Sequence, residues 1–159
     1  MIRKVVSGGQ TGVDRAALDV ALELGLACGG WCPKGRRAED GPLDPRYPLT
    51  ETQSAEYRQR TAWNVRDADG TLVLARGALT GGTAQTVALA ARMGKPHLVL
   101  DLDAQPSAFA ALAWADAFGV EVLNVAGPRE GSRPGIYAQA ASLLRQVFAR
   151  GAQAANAVQ

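Results

Sequence analysis

Short β-branched apolar runs alternate along the chain with longer stretches whose apolar residues recur at helical spacing. Lys4-Val5-Val6-Ser7 reads as a buried strand, and Asp14–Leu24 as a helix with Ala17, Leu18, Ala21 and Leu22 on one face. Gly25 closes that helix, and Leu26–Trp31 predicts a short second strand. The pattern then predicts a helix over Glu56–Asp67, a strand over Gly70–Ala75, a helix over Gln85–Met93 and a strand over His97–Asp101. A helix over Ser107–Phe118, a strand over Val120–Val125 and a last helix over Ile136–Arg150 complete it. Strands separated by helices pair in parallel through right-handed crossovers, and near-continuous apolar strands imply cover on both faces. The expected fold is α/β: a Rossmann-like sandwich, mostly parallel, of about five strands with helices on both faces. Residues 1–150 read as one ligand-binding domain, and 151–159, small and polar, as a flexible tail.

The length of 159 residues suits that single domain and buries enough surface to need no disulfide. A formal net charge of +2 gives no ground for nucleic-acid binding. No apolar run reaches the roughly 20 residues of a membrane span, and the first residues enter a strand with no signal-peptide layout. Two cysteines fit a reducing compartment, so a cytoplasmic location is expected. The cations are more telling: fourteen Arg against three Lys, and Arg offers a planar fork suited to phosphate or carboxylate.

Three strand ends carry unusual sequences on what should be one edge of the sheet. These are Ser7-Gly8-Gly9-Gln10-Thr11-Gly12, Leu79-Thr80-Gly81-Gly82-Thr83 and Asn124-Val125-Ala126-Gly127-Pro128-Arg129. Ligands of open parallel sheets bind at the carboxyl ends of strands, and glycine amides beside a helix start favour anions. Gly8, Gly9, Gln10, Thr11, Gly12 and Asp14 are therefore candidates at the first loop, Gly81, Gly82, Thr83 and Thr86 at the second, and Asn124 and Gly127 at the third. The spacing matches neither a P-loop nor the dinucleotide fingerprint, so a phosphorylated small molecule is expected without the usual ATPase or dehydrogenase chemistry.

The stretch from Pro33 to Pro48, rich in Pro, Gly and charge, reads as a long loop. Lys34, Gly35 and Arg36 are expected to reach over the glycine loops, with Arg37 pointing away; a solvated face is the competing reading. Arg60 and Asn64 share a helix face one turn beyond Tyr57, which suits either a site or a plain helix surface. Cys28, Cys32 and the sole histidine, His97, are too few for a zinc site and poorly placed for Ser-His-Asp catalysis. No metal site is expected.

Ser7–Asp19 and Gly30-Trp31-Cys32-Pro33-Lys34-Gly35-Arg36-Arg37-Ala38-Glu39-Asp40-Gly41 together resemble the molybdenum carrier (molybdenum cofactor carrier-like) family. Arg60-Thr61, Asn64-Val65, Asp69–Leu72, Gly81-Gly82-Thr83 and Asn124–Arg129 extend the resemblance over residues 3–148. That family is similar to a Rossmann-like group containing the cytokinin-activating phosphoribohydrolases, also called lysine-decarboxylase-like proteins. The resemblance implies a homo-oligomer that binds molybdenum cofactor, a phosphorylated pterin carrying a molybdenum dithiolene. The hydrolase branch carries P-G-G-x-G-T-x-x-E with a catalytic Glu, and Ala88 stands at that Glu position here. An alanine supplies neither acid nor base, so no catalytic residue is expected.

The leading expectation is a carrier or storage protein for molybdenum cofactor. The alternatives are a binding module for a nucleotide or nucleotide-derived signal, and a hydrolase of a nucleotide or phosphoribosyl bond using Asp14 or Glu39. The helix Ser107–Phe118, with Phe109, Leu112, Trp114 and Phe118, has more apolar surface than one buried face requires. Its second face is the candidate contact between subunits.

Overall fold

The computed structural model describes residues 1–157. Its elements run β1 (Lys4–Val6), α1 (Val13–Glu23), β2 (Ala27–Gly29), β3 (Trp31–Cys32), β4 (Thr50–Glu51), α2 (Tyr57–Asp67), β5 (Gly70–Ala75), α3 (Gly81–Arg92) and β6 (His97–Asp101). A short 3-10 turn, α4 (Ala108–Ala117), β7 (Val122–Ala126) and α5 (Ile136–Ala157) follow.

β1, β2, β5, β6 and β7 form one parallel sheet in the order β2-β1-β7-β5-β6. The connection from β1 steps outward to β2, and the connection from β5 steps outward the opposite way to β6. Right-handed crossovers therefore put α1 and α3 on opposite faces. The packing agrees: α1 and α4 lie against α5, while α2 lies against α3. Between the two outward steps the edges of the loops part and leave a crevice beyond the carboxyl ends of β1, β7 and β5.

The main core sits between the sheet and the α1–α4–α5 layer. Val13, Ala16, Ala17, Val20 and Ala21 of α1 meet Ile136, Ala140, Leu144 and Phe148 of α5 over Val5, Leu72, Leu74, Leu123 and Val125. Alanines on α1 permit the close approach, because a short side chain leaves the two helix backbones little to keep them apart.

A second apolar cluster was not expected. Leu18 on the far side of α1 packs with Cys32, Ala38, Leu43, Tyr47 and Leu49, so the long loop carries a core of its own. β3 and β4 pair in parallel and close its two ends. The strand predicted over Leu26–Trp31 breaks at Gly30, where φ is +120° and a Cβ would lie 2.6 Å from the Ser7 carbonyl oxygen.

Two boundaries also differ. α3 begins at Gly81 rather than Gln85: the two glycines and the threonine of its first turn are poor helix formers and hid that turn in the sequence. α5 runs through to Ala157, beyond Arg150, because alanine-rich sequence continues a helix readily. Residues 151–157 are thus helix rather than tail, and the rest of that expectation lies outside the described residues. Among the described residues no helix is long and apolar enough to cross a membrane.

Candidate functional site

Three loops meet at the crevice and lock one another. The Ser7 hydroxyl donates to the Asp14 carbonyl oxygen at 2.9 Å and accepts from the Gly9 amide, which pins the first loop to α1. The Val13 amide donates to the Pro128 carbonyl, and the Glu130 amide to the Thr11 hydroxyl. The Glu39 carboxylate accepts from the Thr11 hydroxyl and, at 2.9 Å, from the Gly131 amide. These bonds hold Glu39 well below the usual carboxylate range, the Thr11 bond most of all. Gly12 and Gly127 make the approach possible: a Cβ on Gly12 would lie 2.4 Å from the Pro128 oxygen, and one on Gly127 2.3 Å from the Leu74 oxygen.

Enclosed by these loops and by α2 and α3 is a cavity of about 350 Å³, within the range of small-molecule sites. Its wall includes Gly8, Gln10, Asp14, Arg60, Asn64, Gly81, Gly82, Thr83, Thr86, Asn124 and Gly127. The fold thus gathers to one cavity residues as far apart in the chain as Gly8 and Arg133.

On one side lies the start of α3. Thr80 precedes it in extended conformation and makes no side-chain cap. The amides of Gly81, Gly82 and Thr83 are orphans of helix geometry, and no loop or side-chain oxygen of the chain accepts from them among the described residues. Thr83 and Thr86 are buried beside them; the Thr86 hydroxyl donates to the Gly82 carbonyl at 2.8 Å. A Cβ at Gly82 would meet nothing within 4 Å, so open space lies beside these amides.

On the other side lie cations. Arg60, Arg129 and Arg133 line the cavity, and Asp14 is the one carboxylate among the lining residues. Arg60 Nη1 donates to Asp14 Oδ2 at 2.9 Å, with both side chains about nine-tenths buried. Burial pushes the Asp14 carboxyl up, and the Arg60 guanidinium offsets this only in part. The Tyr57 ring joins the wall with guanidinium carbons of Arg37, Arg60 and Arg129 at 4.8, 5.1 and 5.8 Å from its centroid.

Six expected site residues lie elsewhere. Gly9 (φ +77°) faces Leu43 and Leu49, where a Cβ would approach to 2.7 Å. Gly12 packs on Pro128, and Thr11 is held by Glu39 and Glu130. Arg36, at φ +55°, donates to the carbonyls of Leu43, Asp44, Tyr47 and Leu49. It therefore staples its own loop and does not reach the cavity. Gly35 donates to Glu51, and Lys34 is exposed. Arg37 approaches the rim through Tyr57, the reverse of the expected order.

Asn64 does line the cavity, yet its amide clamps Trp31 through N–H and carbonyl at 2.8 and 3.0 Å. Sequence reading passed over Tyr57, Arg129 and Arg133 as wall residues. The Asn124–Arg129 motif held a signal for Arg129, whereas Arg133 followed from nothing local.

A family model described as "Circularly permutated YpsA SLOG family" matches residues 5–148. The chain belongs to that family. A solved structure is similar to this SLOG chain at 46% identity and a TM-score of 0.87 over 92% of this chain and 94% of the other. That neighbour is a Syntrophus aciditrophicus protein named "Putative molybdenum carrier protein". The resemblance to molybdenum carrier-like proteins drawn from the glycine motifs is thereby supported. No curated protein matches the chain significantly.

Proposed function

We propose that the cavity binds a phosphorylated organic anion and that the protein carries or stores molybdenum cofactor. One observation carries the anion: the free amides of Gly81, Gly82 and Thr83 face a cavity whose wall has three arginines and one carboxylate. A helix N-terminus with orphan amides favours a phosphate, and the arginines supply the balancing charge. The name of the 46% identical neighbour, "Putative molybdenum carrier protein", supports molybdenum cofactor among such anions.

The residues fit that cargo in part by what they supply and in part by what they leave to it. Gly81–Thr83 hold the phosphate, and Tyr57 offers a flat surface beside a pterin. Neither cysteine nor His97 lines the cavity, so a bound cofactor would receive no soft donor from these residues.

Binding is favoured over hydrolysis at the same place. Ala88 is exposed and outside the wall. Aligned on Gly82-Thr83 instead, the hydrolase Glu position falls on Thr86, which is no acid either. Asp14 is engaged by Arg60. A purine nucleotide would use the same amides and the same ring, and it is the second reading. Protein purified from a host that makes the cofactor should release a fluorescent pterin and molybdenum on denaturation. A thermal shift with AMP or ADP-ribose and no pterin content would favour the nucleotide reading instead.

A further inference from the structure

The geometry points to Arg129 as the residue that closes on the ligand's anion, and to Glu39 as the internal carboxylate it leaves in order to do so. This deepens the anion-binding reading and rests on it.

The three cavity arginines differ in what already occupies them. Arg60 donates to Asp14 and to the Tyr57 carbonyl. Arg133 donates to the carbonyls of Arg76 and Ser132. The Arg129 side chain makes no hydrogen bond among the described residues. Its charged neighbour is Glu39, at 3.9 Å from Nη1 to Oε2, beyond hydrogen-bond distance. Its side chain is 45% exposed, and its other neighbour is the face of Tyr57.

The backbone beneath it is fixed. The Arg129 carbonyl accepts from the amides of Ser132 and Arg133, and the preceding Pro128 carbonyl from Val13. Only the side chain is free to move. Glu39 is fixed too, since its Oε1 accepts from the Thr11 hydroxyl and the Gly131 amide. A loose, half-exposed ion pair is weak, whereas a phosphate offers a guanidinium two parallel charge-assisted bonds. A phosphate in the cavity therefore draws Arg129 inward, and the charge on Glu39 opposes it. Glu39 lowers affinity while holding the three loops together.

The test compares wild type, Glu39→Gln, Arg129→Gln and the double variant by calorimetric titration with inorganic phosphate and with AMP. Gln keeps a carbonyl oxygen for Thr11 and Gly131, so the loops retain their junction. Glu39→Gln should bind about twofold to fivefold more tightly, the range expected for removing one exposed ion pair. Arg129→Gln should bind more weakly with a flatter salt dependence, and the double variant should match it. Unchanged or weaker binding by a cooperatively melting Glu39→Gln overturns the inference, as does a gain that persists without Arg129. Should Glu39→Gln not fold, Arg129→Gln alone decides: undiminished affinity overturns it. Failure of wild type to bind either probe overturns the anion reading and this inference together, whereas wild-type binding that Arg129→Gln leaves intact overturns this one alone.

Discussion

Arg60 reaches Asp14 at 2.9 Å across the mouth of the first loop because position 8 carries no side chain. A Cβ on Gly8 would lie 1.6 Å from Arg60 Nη1. The pair joins α2 to α1 where the sheet opens, and both residues line the cavity. Removing one partner leaves a buried charge, so Arg60→Ala should destabilise the fold by about 3–5 kcal/mol in denaturant melts. Gly8→Ala should act in the same direction by displacing the guanidinium.

The pH dependence of that loss has a definite sign. Burial already raises the Asp14 carboxyl, and loss of Arg60 raises it further. A folded-state pKa above the unfolded one contributes stability that is fully present below the unfolded value and is lost as pH rises through the folded one. The deficit of Arg60→Ala should therefore shrink on acidification below neutral pH. A deficit that grows on acidification would contradict the assignment.

Alkaline stability should report on another junction. Asp19 accepts from the hydroxyls of Tyr47 and Tyr137, both at 2.6 Å, and burial followed by that bond pushes Tyr137 up to about 12. Its contribution is complete below the ordinary phenol value of 10.0 and is lost as pH rises through about 12. Phenolate absorbance should show late ionisation of Tyr137, and Asp19→Ala should bring it earlier.

Arg36→Ala should cost about 2 kcal/mol of stability, since one charged donor serves four carbonyls that would lose it. Binding of phosphate in the cavity should survive where the fold does. An intact melt together with lost binding would restore Arg36 to the site.

The exposed aromatics of α4 make assembly testable. Phe109 and Phe118 are 73% and 60% exposed, while Trp114 lies under the chain beside Gly70. We expect a homo-oligomer whose contact covers these exposed side chains, and Phe109→Ser/Phe118→Ser should shift it toward monomer. A light-scattering mass near 16.6 kDa for the unaltered chain would contradict it.

The parallel sheet was legible because alternating apolar runs and helical periods leave few other topologies. That the loops of Gly81-Gly82-Thr83 and Gly127 line one cavity was legible for a related reason: strand ends of a parallel sheet share one edge. Arg36 was misread because a guanidinium's partners are decided by the fold of its own loop, here four carbonyls brought together by the Leu18–Tyr47 cluster. Gly9 was misread likewise, its left-handed turn serving contact with Leu43 and Leu49 rather than a ligand. Arg133 reaches the cavity from the turn before α5, a placement that depends on tertiary packing alone.

The start of α3 is the proposed phosphate site. Nitrogen–proton correlation NMR of the Gly81, Gly82 and Thr83 amides during titration with inorganic phosphate tests it most directly. Saturable shifts of these three signals, abolished in a folded Gly82→Val variant, are the expected result. Amides that stay unmoved while phosphate reaches high concentration, or shifts confined to other surfaces, would contradict it.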